Sequence, residues 1–133
     1  MKAKEIRAEI RTIWPLVGFI WTPDGEYEIP EIEDVIKALE PSGIKDLSYK
    51  GVVWECDKSA LAANDWIKRH CLDIGLDKQW AFGECFASKI NGQELSHTLN
   101  ICRAKDGIYL IEAKGYLYRR ADSAKDAIHI VRM

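Results

Sequence analysis

At Gly75 the apolar residues of this chain change period, and that change constrains the fold more than any other feature. Before it, hydrophobic side chains recur at the spacing of one helix face; after it they recur at every second position, the spacing of one strand face. Consecutive helices followed by consecutive strands exclude an alternating βαβ order and predict a segregated α+β domain.

The first helix is expected from Lys2 to about Trp14, with Ile6, Ile10 and Ile13 on one face and Pro15 ending it. A loop follows that contains Thr22-Pro23-Asp24-Gly25 and carries Trp21 as an exposed aromatic. Pro30 precedes a second helix with Ile32, Val35, Ile36 and Leu39 on one face, and its acidic first turn suits the positive end of the helix dipole. The apolar run Val52-Val53-Trp54 leads into a third helix from about Asp57 to His70, whose seam of Ala60, Ala63, Ile67 and Cys71 is small enough for close packing on a sheet.

Beyond Gly75, Trp80, Phe82, Phe86 and Ile90 alternate with Ala81, Gly83, Cys85 and Ala87, so the small face is expected against the alanine-rich helix. Asn91-Gly92 and Asp106-Gly107 are turn signals flanking strands at Leu95 to Arg103 and Ile108 to Ala113. Tyr116 to Arg119 and Ala127 to Met133 complete an expected meander of about five antiparallel strands. A length of 133 residues with no linker or repeat predicts one domain, divided into a helical leader at 1–48 and a core at 49–133.

Nineteen Lys and Arg against 21 Asp and Glu leave no positive field for a phosphate backbone, so nucleic acid is not an expected partner. The charged first residues hold no signal-peptide core, and no apolar run approaches the roughly 18 residues of a spanning helix, so a cytoplasmic protein without a membrane partner is expected. Cys56, Cys71, Cys85 and Cys102 lie 15, 14 and 17 residues apart with no CxxC pair, which argues against a thiolate metal site. In a chain long enough to fold without staples they are expected as free thiols.

Cys56 differs from the other three because it stands at a helix start, where unpaired N–H groups and the dipole favour a thiolate. A nucleophilic cysteine also needs a base, normally an imidazole oriented by a third polar group. His97 shares a strand face with Leu99 and Ile101, and Glu112 shares one with Ile108 and Leu110. If Arg103 faces Ile108 across the turn, His97 and Glu112 become diagonal neighbours on one face, within side-chain reach. Cys56 read alone is equally a small buried hydrophobe, and Cys71, Cys85 and Cys102 read as core.

Cys56-Asp57 and Ala60 on a helix, Trp80-Ala81-Phe82-Gly83-Glu84, His97-Thr98-Leu99-Asn100 and Gly107-Ile108-Tyr109-Leu110-Ile111-Glu112 together resemble the papain-like cysteine peptidases. The likeness is to the C-terminal domain of the Marasmius oreades agglutinin and its phage and bacterial relatives. It covers roughly the last two thirds of the chain. The resemblance implies a thiol hydrolase of peptide or isopeptide bonds, with a peptide or protein substrate, Cys56 as nucleophile, His97 as general base and Glu112 as its orienter. It also implies calcium, for which Asp57 is the candidate ligand; no other cofactor is expected. Ala113-Lys114 stand where the family commonly has Pro-Gln, and no Gln shortly precedes Cys56, so Tyr49 and Trp54 become the candidate oxyanion and substrate contacts. A weaker likeness is to cell-wall endopeptidases of the NlpC/P60 type, whose Cys is typically followed by Ser-Gly. The rival expectation is a catalytically silent papain-fold binding or assembly module, phage-encoded in one version. The five tryptophans are spread singly, as core anchors are, rather than as a sugar-stacking cluster.

Overall fold

The computed structural model describes residues 1–46, 56–113 and 115–133. The chain is α+β, with three α-helices and a six-stranded sheet among the described residues. Helix α1 spans Ala3–Ile13, strand β1 Phe19–Trp21, helix α2 Ile32–Leu39 and helix α3 Cys56–Asp73. Strands β2 (Phe82–Ile90), β3 (Gln93–Ala104), β4 (Gly107–Glu112), β5 (Leu117–Arg120) and β6 (Ala127–Arg132) follow. The sheet order is β1-β6-β2-β3-β4-β5.

Two strands depart from the expected meander. β6 returns across the sheet to pair antiparallel with β2, and β1, expected as loop, adds a sixth strand parallel to β6. Three residues with no alternation of their own do not announce a strand; what fixes β1 is the ladder β6 offers it, more than a hundred residues later in the chain.

The sheet separates two apolar clusters. Ile6, Ile10 and Trp14 of the α1 segment pack on Cys85, Ala87, Leu99, Ile101, Leu110 and Val131. On the opposite face α2 and α3 bring Val35, Leu39, Ala63 and Ile67 onto Phe82, Cys102, Tyr109 and Ile111. The small face of β2 therefore lies under the isoleucines of α1, correcting the expectation that it meets the alanines of α3. Bulky α1 residues fill the space that small sheet residues leave, while α3 supplies the small partner for Phe82. Indole N–H bonds tie neighbouring elements: Trp66 of α3 donates to the Ala38 carbonyl of α2 at 2.7 Å, and Trp14 to that of Asp126 at 3.1 Å.

Glycine is required at two close points. Asn91 and Gly92 both have positive φ, 51° and 82°, the type I′ geometry that matches strand twist in a two-residue hairpin. At Gly83 a Cβ would collide with the Arg132 carbonyl oxygen, because β6 ends directly against β2.

Candidate functional site

The β3–β4 hairpin has the register the sequence implies, with Arg103 opposite Ile108 and Asn100 opposite Ile111. His97 and Glu112 consequently meet: His97 Nε2 lies 2.9 and 2.8 Å from the two carboxylate oxygens. Arg103, on the same strand face, pairs with Glu9 of α1.

Cys56 is half-buried and is the first residue of α3. That helix packs on the opposite face of the sheet from Leu99 and Ile101, as the bond from Asn100 Nδ2 to the Ala60 carbonyl shows. By alternation His97 and Glu112 belong to the α1 face, and among the described residues no hydrogen bond or ion pair joins Cys56 to either. The structure thus brings together two of the three expected catalytic residues. Tyr49 and Trp54 lie outside the described residues. Asp57 is exposed in the first turn of α3, and among the described residues no group of three His, Cys, Asp or Glu side chains that could hold a metal ion forms around it. Cys71, Cys85 and Cys102 are buried free thiols, and burial pushes all three up from their ordinary range, as unreactive core cysteines require.

A second feature has only one trace in the sequence, the exposed Trp21. On the α3 side of the sheet, neither β1 nor β6 contributes to the cluster under α2 and α3, so among the described residues no helix covers this third of the face. Two cross-strand rows stand there. Phe19, Ile130 and Phe86 are register partners in one, and Trp21, Arg132 and Glu84 in the next. Phe19 is 57%, Trp21 49%, Ile130 47% and Phe86 39% exposed, large values for apolar residues on regular strands. Arg132 donates to Glu84 at 2.7 Å, and Glu84 also accepts from Asn64 of α3 at 3.0 Å, so the charged pair is held against the helix. Strand spacing makes this shelf on the order of 10 Å by 7 Å. The His129 ring stacks obliquely on Phe86, at 6.4 Å between centroids, and extends the aromatic surface.

No family model and no curated protein matches the chain. Solved structures share its fold. One is the "PSL1a-E64 complex", with a TM-score of 0.84 at 14% identity over 100% of this chain and 51% of that chain. Another is Polyporus squamosus lectin bound to the human-type influenza-binding epitope Neu5Aca2-6Galb1-4GlcNAc, with a TM-score of 0.82 at 14% identity over 100% of this chain and 49% of that one. The chain spans about half the length of the solved chains it matches. These comparisons show a fold shared with Polyporus squamosus lectin and give no direct support to the likeness to papain-like peptidases or to the Marasmius oreades agglutinin. The expectations of a thiol hydrolase, a peptide or protein substrate and a phage affiliation are corrected, because the structures that share the architecture are lectin structures.

Proposed function

We propose that this chain is a carbohydrate-binding module whose binding surface is the shelf of Phe19, Trp21, Phe86, Ile130 and Arg132. The observation that carries the reading is the pairing of exposed aromatic rings with a fixed charged fork on an uncovered sheet face. A pyranose ring presents an apolar C–H face and a rim of hydroxyls. Aromatic side chains take the first through dispersion and burial; a planar guanidinium and a carboxylate take the second, one donating and the other accepting. Glu84 and Arg132 already hold each other in place, so little side-chain entropy is lost when hydroxyls add to them.

The shelf is open and shallow, which suits the terminal sugars of a glycan rather than an enclosed small molecule. Covering about 150 Å² of apolar surface at ~25 cal/mol per Å² gives about 4 kcal/mol before the cost of association, so that even roughly millimolar binding also needs the hydroxyl contacts of Arg132 and Glu84. Tighter retention would come from several copies on one surface. The glycan bound by Polyporus squamosus lectin supports the ligand class.

A glycan array displaying the chain at high density tests the reading. Wild type is expected to be retained by at least one glycan class, and Trp21→Ala to lose about tenfold or more of that signal while remaining folded. Absence of retention by any glycan would refute it.

A further inference from the structure

Helices α2 and α3 face each other across a groove of about 400 Å³. Asp34, Lys37 and Ala38 form one stripe of α2, and Trp66, His70 and Ile74 form one stripe of α3, so each helix turns a single face to the opening. Buried Ala38 and Trp80 are its floor. Trp66 walls one side, its ring fixed by the indole bond to the Ala38 carbonyl. The His70 ring lies 5.3 Å from that of Trp80 and is inclined to it by 47°. Tryptophans that are far apart in the sequence are thus brought to one groove with an imidazole between them.

The polar groups that line this apolar groove are unengaged. Among the described residues the Trp80 indole N–H and both His70 ring nitrogens make no hydrogen bond, and no opposite charge lies within ion-pair distance of Asp34 or Lys37. Three rings suit a flat aromatic guest, through offset and edge-to-face contacts. A carboxylate and an ammonium one turn apart on a helix face, with about 5–6 Å between their Cβ atoms, suit a head group that carries both charges on neighbouring atoms.

We infer that this groove binds a free aromatic α-amino acid: its ring enters between Trp66, His70 and Trp80, its ammonium meets Asp34 and its carboxylate meets Lys37. An aromatic residue inside a peptide chain has the ring without either charge and does not meet both ends of the site. The groove shares no residue with the aromatic shelf, so it stands or falls independently of glycan binding.

The probe is L-phenylalanine, titrated into 15N-labelled protein at neutral pH. L-alanine is the control without the ring, and N-acetyl-L-phenylalaninamide the control that keeps the ring and loses both charges. Saturable shifts are expected at the Trp66 and Trp80 indole N–H resonances and at the Lys37 and His70 amides. Alanine is expected to produce none, and the capped analogue to bind about threefold or more weakly, the scale of exposed charge contacts. Asp34→Asn and Lys37→Gln stand at exposed helix positions, so each is expected to unfold near the wild-type temperature while weakening phenylalanine binding about threefold or more. No saturable shift at the solubility limit of phenylalanine, equal binding of the capped analogue, or undiminished binding in both variants would overturn the inference.

Discussion

Four donors converge on the buried carboxylate of Asp126: two from Arg119 of β5, the backbone N–H of Asn91 at 3.0 Å and that of Asp122 at 2.9 Å. One side chain thereby fastens the β2–β3 turn, β5 and the approach to β6. Burial pushes the carboxyl up, but Arg119 and the two N–H groups outweigh it and hold it below its ordinary value. A depressed carboxylate contributes stability that is present above the unfolded value of about 4 and is lost as pH falls through the folded one. Urea unfolding should therefore show stability declining below about pH 4, and Asp126→Asn should flatten that decline while costing about 3 kcal/mol at pH 7 by leaving Arg119 without its charge partner. None of this was legible in the sequence, where no spacing or motif ties Asp126 to Arg119, Asn91 or Asp122. Gly83 is similar, since only the end of β6 makes it necessary. Gly83→Ala is expected to lower the melting temperature by several degrees, a shift of about 1–2 kcal/mol at this size, or to displace β6.

Among the elements, hairpins were the legible ones. Asn91-Gly92 and Asp106-Gly107 carry their turn geometry in the chain, so strand register followed and with it the meeting of His97 and Glu112. Gly92→Ala, at φ 82°, should cost about 1–2 kcal/mol in thermal or urea unfolding, whereas Gly25→Ala, which has open space around it and no positive φ, should cost much less. β1 and the position of β6 escaped because both depend on pairing between segments far apart in sequence. The choice of helix for each face of β2 escaped too, since a small sheet face accepts either a small or a bulky partner and only total volume decides.

At the scale of the molecule, a sheet packed by α1 on one face and by α2 and α3 on the other would be closed if the helices reached every strand. They do not reach β1 and β6 on the α3 side, and the residues left there are aromatic and charged rather than the short polar side chains that usually finish a sheet surface. Composition gave no hint of this: the tryptophans are dispersed in sequence, and Trp21 comes onto one surface with Phe86 only because β1 and β2 both pair with β6.

The most direct measurement is a 15N chemical-shift titration with the trisaccharide Neu5Aca2-6Galb1-4GlcNAc and with neutral N-acetyllactosamine, read together with the Trp21 indole N–H. Perturbations confined to Phe19, Trp21, Phe86, Ile130 and Arg132 with at least one of the sugars, abolished in Trp21→Ala, are the expected result. Unperturbed shelf resonances at ten millimolar of either sugar (on the order of ten times the expected dissociation constant), or sugar-induced shifts located elsewhere, would contradict it.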